Sequence, residues 1–259
     1  MFSENALRKG LKTRHFGSKI YTFDSIDSTN NCARAVAACG AVEGTTVLAE
    51  LQTNGRGRQG RIWEANPGEN LTFSIVLRPR VRPEELNLIP LYVGVAIAAA
   101  VEKATGLKPE CKWPNDLLLN GRKVCGILIE SSVKQNTVEY AVVGIGLNVN
   151  QRDFPPPLIG VATSLAVEAG HDIDRPALFR EVLCSLEKHY EQITSNGYAS
   201  ILPQWLTRST MLDTPVSLSS GEGTVSGIVR GLSAEGGLIL QTQESRRTYF
   251  AGDVTVLKH

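Results

Sequence analysis

The sequence predicts an α+β protein: a mixed sheet with flanking helices, followed by a small β barrel. Three observations carry that prediction. Segments of helical and strand periodicity alternate through the first 210 residues. From about 212 the pattern changes to short strands with Gly-rich turns. The composition, 42% hydrophobic and 20% charged, is that of a globular chain and argues against disorder, collagen and coiled coil. At 259 residues the chain has room for one large domain and a small companion, placed here at 1–210 and 211–259. A chain of this size buries roughly 70–75% of its unfolded surface, so it needs neither disulfides nor a structural metal to fold.

The elements follow in order. A short amphipathic segment near 3–12 precedes a strand at 19–24, KIYTFD. DSTNNCARAVAACG (27–40) is an Ala-rich helix with Asp27 or Ser28 as N-cap and Gly40 as its stop. GTTVLAELQ (44–52) is β-branched and reads as a buried strand, and NLTFSIVL (70–77) alternates as a strand should. Residues 84–105 form a helix ended by Gly106 and Pro109. It contains an uncharged apolar run, Leu86 to Val101, whose 16 residues fall short of the ~20 a bilayer span needs, so a buried helix is expected. DLLLNGRKVCGILIE (116–130) holds Asn120-Gly121 between two apolar runs, a strong hairpin signal, and 138–150 extends the same sheet. FPPP (154–157) marks an irregular loop, and 176–208 reads as one long helix and a short one. The tail supplies TPVSLSS, GTVSGIVRGL, GLILQT, RRTYF and DVTVL, the strands of the barrel.

Lys+Arg 27 against Asp+Glu 26 leaves a net charge of +1, which argues against a wholesale nucleic-acid coat. The N-terminus lacks an apolar signal segment, so a soluble, cytoplasmic protein is expected, with no membrane partner. Cys32, Cys39, Cys111, Cys125 and Cys184 include no C-x-x-C pair, and His15, His171, His189 and His259 are scattered. No zinc site or Cys–His nucleophile is expected; the cysteines read as small reduced hydrophobes.

The chemistry concentrates in four places. Gly55-Arg56-Gly57-Arg58-Gln59-Gly60-Arg61 has the letters of G-x-G-x-x-G but opens no helix, and it lacks the Lys-Ser/Thr of a P-loop. What remains is a glycine chain with three guanidiniums, able to fold over phosphate or carboxylate or, more blandly, to be a solvated basic loop. Flanking Gln52 and Trp63 favour the first reading, adding a polar orienter and a stacking surface. In Lys112-Trp113-Pro114-Asn115-Asp116 and the hairpin after it, Leu118 should face Lys123 and Asp116 should face Cys125. Asp116 and Lys123 then share a face as diagonal neighbours about 7–8 Å apart. A mid-strand glycine, Gly126, marks close approach by a ligand or another backbone. Alternation places Gly144, Gly146, Asn148 and Asn150 on one face, two glycines flattening it and two amides ending it. Asp27-Ser28-Thr29-Asn30 is a helix cap that can double as a binding corner. Abundant cations and amides, with no metal cage and no activated nucleophile, suit attack of a carboxylate on the α-phosphate of ATP.

DSTN (27–30), the arginine loop (55–61), KWPND (112–116), GRKVCGIL (121–128), GIGLNVN (144–150) and ATSL (162–165) resemble the biotin–protein ligases in order and spacing. The resemblance covers nearly the whole chain. It implies a catalytic domain related to lipoyl-transferring enzymes, followed by an SH3-like domain. It also implies two half-reactions: biotin and MgATP give biotinyl-5′-adenylate, and a lysine of a biotin carrier domain then takes the biotinyl group and releases AMP. On that resemblance Ser28, Thr29, Asn30 and Gln52 read the head group, and Gly55, Arg56, Gly57 and Arg58 close over biotin, with Gly126 beneath. Arg58, Arg61, Trp63, Lys112, Asn115 and Asn148 line the nucleotide. Lys123, Asp116 and Arg58 are the catalytic set, Lys123 contacting the biotin carboxylate and the phosphate and Asp116 standing beside the incoming amine. Biotin, ATP and Mg2+ are the implied small molecules, and no metal ligand is assigned in the chain. Gln59 departs from the pattern, since relatives often carry a basic residue there. Some relatives also carry an N-terminal DNA-binding domain. Only 26 residues precede Asp27, so the single-function type, binding no operator DNA, is expected. The rivals are a lipoate or octanoate ligase on the related scaffold and a nucleic-acid-binding module. The first would want a less polar corner, the second an aromatic RNA-binding motif.

Overall fold

The computed structural model describes residues 2–221 and 223–257; His259 lies outside them. The first seven strands are β1 (Ile20–Ile26), β2 (Thr46–Gln52), β3 (Leu71–Leu77), β4 (Glu110–Lys112), β5 (Asp116–Leu119), β6 (Arg122–Lys134) and β7 (Thr137–Leu147). They form one sheet in the order β1-β2-β3-β7-β6-β5-β4. β1 and β2 run parallel and the remaining neighbours antiparallel, so the sheet is mixed as expected. A second sheet is antiparallel throughout, in the order β11-β10-β9-β8-β12. Its strands are β8 (Pro215–Ser220), β9 (Gly223–Leu232), β10 (Leu238–Gln241), β11 (Arg246–Tyr249) and β12 (Asp253–Val256). It forms the small barrel-like unit that the tail predicts.

The helices are α1 (Glu4–Arg8), α2 (Thr29–Ala38), α3 (Ile89–Thr105), α4 (Leu165–Ala169), α5 (Arg175–Asn196) and α6 (Leu202–Thr207). Strand alternation decides where they dock. On β3, Phe73, Ile75 and Leu77 enter the main core, which α3 and α5 cover, and Phe73 meets Phe179 of α5 edge-on at 5.2 Å. Val76 points the other way, into a small cluster with Ala33 and Ala37 of α2, Val47 and Val142. One face of the sheet therefore belongs to α3 and α5, and the other to α2 and the site. Between Ile89 and Val101 every residue of α3 except Pro90 and Ala99 is buried. With the 3₁₀ turn before it, this is the one helix among the described residues long and apolar enough to cross a membrane. It is packed as a core helix.

Several boundaries move for identifiable reasons. α1 occupies only part of 3–12, with Ser3 accepting from the Ala6 N–H as its cap. The helix expected from 84 opens with a 3₁₀ turn, Pro83–Leu88. The strand expected to reach 150 stops at Leu147, because Asn70 Oδ1 accepts the Val149 N–H at 2.9 Å and draws the chain off the ladder. α4 is capped by Ser164 and ended by Gly170 at φ +79°.

The hairpin turns at Asn120 and Gly121, both at positive φ (49° and 74°), as a type I′ turn requires. Leu118 faces Lys123 as predicted. A bulge between Leu117 and Leu118 then shifts the register, so Asp116 faces Gly126, not Cys125. The bulge lets the consecutive apolar residues Val124 and Cys125 both be buried while Lys123 and Gly126 stay on the site face.

Burial pushes the Cys111 thiol up to about 12, with Arg208 opposing, and raises Cys125 further still. A raised thiol pKa leaves the unreactive neutral form at neutral pH. Iodoacetamide at pH 8 should therefore modify the exposed Cys39 first and spare Cys111 and Cys125 until the protein unfolds. Peptide mass mapping of the native protein checks this, and labelling of Cys125 as fast as Cys39 would contradict it.

Candidate active site

A cavity of about 360 Å³ opens on the α2 face of the large sheet, within the usual range for small-molecule sites. Its floor is built by what the strands lack. Gly126 of β6 and Gly146 of β7 are a cross-strand pair. A β-carbon on Gly146 would lie 2.2 Å from the Trp63 indole, and one on Gly126 2.9 Å. The ring therefore rests directly on the paired glycines. The group that comes close to Gly126 is the Trp63 side chain, not the ligand or backbone expected there. The Lys123 ammonium sits 5.6 Å from the indole centroid and 2.7 Å from Asp116 Oδ1. That contact is an ion pair without hydrogen-bond alignment. The two residues share a face as expected, and their charged ends meet across the diagonal.

One end of the cavity is a polar corner at the start of α2. Ser28 is the N-cap by backbone geometry, but its hydroxyl makes no capping bond. The capping acceptor comes from β2: Gln52 Oε1 accepts the Thr29 N–H at 2.8 Å and lies 3.0 Å from its hydroxyl. Asp27 instead accepts from Asn31 Nδ2 at 2.6 Å. Ser74 Oγ lies 2.8 Å from Thr29 Oγ1 and 2.6 Å from Asn30 Oδ1. Asn30 lies against Gly144, where a β-carbon would come within 2.2 Å of its Oδ1.

The arginine loop closes as a small turn: Gly57 N–H donates to Arg61 O at 2.7 Å and Trp63 N–H to Gly55 O at 3.0 Å. Gln59 and Gly60 take positive φ at its tip (56° and 74°), a conformation that glycine adopts without cost. Each guanidinium has its own acceptor. Arg56 donates to Asn31 Oδ1 at 2.6 Å and to Glu130 at 3.2 Å. Arg58 donates to Asn115 Oδ1 at 3.0 Å and to Gly252 O at 3.4 Å. Arg61 pairs with Asp253 and with Gln59 Oε1. Burial draws Arg58 below the ordinary arginine range, Asp116 opposing and Arg61 reinforcing; it remains a cation at neutral pH. Asn115 is pinned by donating to Ile127 O at 2.7 Å. Asn148 Nδ2 donates to Thr163 O at 3.0 Å. The ATSL segment runs beside Lys123, whose N–H donates to Val161 O at 2.8 Å.

Ser28, Thr29, Asn30, Gln52, Arg56, Gly57, Arg58, Arg61, Trp63, Lys112, Asn115, Asp116, Lys123, Gly126 and Asn148 all line this one cavity. Gly55 does not. It borders the neighbouring groove, where a β-carbon would strike Trp63 O at 2.4 Å. Asn150, placed by alternation on the same face as Asn148, instead bonds the Ile173 backbone, because the strand has already ended. Thr72, Phe154 and Asp253 also line the cavity but were not expected there. Thr72 and Ser74 were readable from strand alternation beside Val76; Asp253 lies 192 residues from its partner and carries no local signal.

The sequence profile described as the Biotin/lipoate A/B protein ligase family matches residues 22–148. That of the Biotin protein ligase C terminal domain matches residues 212–257. The chain is 36% identical over 254 residues to the Bifunctional ligase/repressor BirA of Bacillus subtilis, spanning 97% of this chain and 78% of that protein. It is 34% identical over 235 residues to the Biotin--[acetyl-CoA-carboxylase] ligase of Paracoccus denitrificans, spanning 88% of this chain and 96% of that one. The chain belongs to the biotin protein ligase family. It is an enzyme of that class. Among solved structures, the biotin protein ligase from Aquifex aeolicus in complex with biotin and ATP superposes with a TM-score of 0.79 at 29% identity, covering 93% of this chain and 100% of that one. A profile for nodulation protein A also matches residues 126–229, a stretch that omits the arginine loop and the Lys112–Lys123 segment of this ligase-family site.

Gln52 caps α2 from a distant strand, so its removal should cost stability as a lost helix cap does. Gln52→Ala should lower the unfolding free energy by about 1–2 kcal/mol in urea titration. An unchanged midpoint would contradict the capping role.

Proposed function

We propose that this chain biotinylates a specific lysine of a biotin carrier domain, using ATP and passing through biotinyl-5′-adenylate. The observation that carries the reading is the polarity of this cavity. One end offers neutral hydrogen-bonding groups, Ser28, Thr29 and Gln52, and the other gathers cations, Lys112, Lys123, Arg58 and Arg61. A cyclic urea with an acidic tail matches that layout from end to end. A fatty or dithiolane acid would leave the polar end unmatched, which disfavours the lipoate or octanoate alternative.

In this reading the Ser28 hydroxyl, free of capping, donates to the ureido oxygen, while Thr29, Asn30 and Gln52 hold the ring. Lys123 brings the biotin carboxylate and the α-phosphate of ATP together. Arg58 stabilises the charge that builds on phosphorus as the carboxylate oxygen bonds to it and pyrophosphate departs. Arg56 and Gly57 cover the join, and Trp63, Arg61, Lys112, Asn115 and Asn148 hold the nucleotide. In the second step the carrier lysine, as the free amine, attacks the acyl carbon beside Asp116, and AMP leaves. Among the described residues no three His, Cys, Asp or Glu side chains could together hold a metal ion. Mg2+ enters as part of MgATP, held by the phosphates, as is usual for this ion. We place the catalytic unit at 1–210 and the C-terminal unit at 211–259, in a cytoplasmic enzyme whose balanced charge favours no operator DNA.

Lys123 should matter more before the adenylate exists than after, since its phosphate is by then part of a leaving group. Lys123→Ala should depress biotin-dependent pyrophosphate release about 10²–10³-fold. It should slow carrier labelling from supplied biotinyl-adenylate far less. Lys134→Ala, at an exposed position, should change neither. Equal loss in both half-reactions would remove the assigned role of Lys123, and pyrophosphate release that does not depend on biotin would remove the function.

A further inference from the structure

Thr72 stands on the site face of β3 and lines the cavity. It is opposite Gly146 of β7. Gly146 in turn is opposite Gly126 of β6, and Gly126 is opposite Asp116 of β5. One row of the sheet therefore runs from a threonine at the polar corner, across two floor glycines, to the carboxylate beside Lys123. With strands about 4.8 Å apart, the row spans roughly 14 Å.

The hydrogen bonds of the corner pass Thr72 by. Ser74 Oγ lies 2.6 Å from Asn30 Oδ1 and 2.8 Å from Thr29 Oγ1. The Thr29 hydroxyl donates to Gln52 Oε1 at 3.0 Å. Thr72 is only 6% exposed, yet no group among the described residues hydrogen-bonds its hydroxyl. The oxygen is not sealed inside the protein, so its remaining opening is the cavity that the residue lines.

A buried hydroxyl covered by a ligand needs a partner on that ligand, or its lost hydration counts against binding. In a biotin head group at this corner, the urea is met by Ser28, Thr29, Asn30 and Gln52. One heteroatom of the head group is left, the thioether sulfur of the fused ring, on the edge away from the urea. A thioether is a weak acceptor in an otherwise apolar ring. Threonine suits both properties, since its hydroxyl donates and its methyl packs.

We propose that Thr72 is a specificity residue that donates its hydroxyl to the thioether sulfur of biotin. The two ends of the cavity do not distinguish biotin from desthiobiotin, its sulfur-free analogue, because both carry the cyclic urea and the acid tail. Thr72 supplies the distinction, because desthiobiotin covers the hydroxyl and leaves it unpaired. The proposal rests on the biotin reading of the cavity.

Calorimetry with biotin and with desthiobiotin, paired with a thermal melt of each variant, tests the two levels separately. The unmodified protein should prefer biotin. Thr72→Val keeps the β-branched shape and removes the hydroxyl. It should weaken biotin binding about three- to tenfold and leave desthiobiotin binding unchanged or tighter. Its melting temperature should not fall, since the hydroxyl has no partner to lose. Thr72→Ser keeps the hydroxyl and should keep the preference for biotin. The proposal is overturned if the unmodified protein binds the two ligands equally, or if Thr72→Val binds biotin as the unmodified protein does. It is also overturned if Thr72→Val weakens both ligands by the same factor, or if Thr72→Ser loses the preference. Binding of neither ligand by the unmodified protein would overturn the biotin reading itself, and the role of Thr72 with it.

Discussion

Where β6 and β7 cross the floor of the cavity, Gly126, Gly144 and Gly146 leave the sheet without β-carbons, and the surrounding groups are arranged around that gap. The Trp63 indole rests on the Gly126–Gly146 pair and Asn30 lies against Gly144. Any larger residue at these points would meet a ring or an amide at less than van der Waals distance. Glycine is usually costly in a strand. Here the strands flanking it are long, and the bulge at Leu117–Leu118 keeps Lys123 beside the cleared floor. On the same face Asp116, opposite Gly126, lies within 2.7 Å of the Lys123 ammonium.

The cations around this floor are not left to repel one another. Arg56, Arg58 and Arg61 each end on a different acceptor, from β6, from the segment before β5 and from the C-terminal sheet respectively. Trp113 makes a second link to the C-terminal sheet, its Nε1 donating to Gly236 O at 3.0 Å. The KWPND segment thus divides its work. Trp113 is buried and ties the two sheets together, while Lys112, Asn115 and Asp116 face the cavity. An arginine loop on its own could have been a solvated basic turn. Acceptors placed on three separate elements make it the roof of a site.

Most of the fold was legible because its signals are local. The alternation of β3 and β7, the Asn120–Gly121 turn and the Gly106 stop of α3 are each decided within a few residues. The site was legible to the extent that it is built from such segments, and the residues singled out from 27–30, 112–116 and 121–126 do meet in one place. What escaped is what depends on pairing at a distance. The bulge follows from burying Val124 and Cys125 together, which one strand alone does not announce. Glu130 reads as an ordinary strand carboxylate until α2 and the arginine loop are folded over it. Asp253 acquires a partner only when the C-terminal sheet docks. Asn150 shows the converse error, since an alternation rule was carried past the end of its strand.

The central claim is that a floor cleared of β-carbons makes this cavity a biotin site, and Gly146→Ala tests it most directly. Calorimetric affinity for biotin, measured together with the melting temperature, is the quantity to compare with the unmodified protein. The account predicts that the added methyl displaces the Trp63 ring and weakens biotin binding by about tenfold or more at a nearly unchanged melting temperature. Biotin affinity equal to that of the unmodified protein, in a variant as stable, would contradict it.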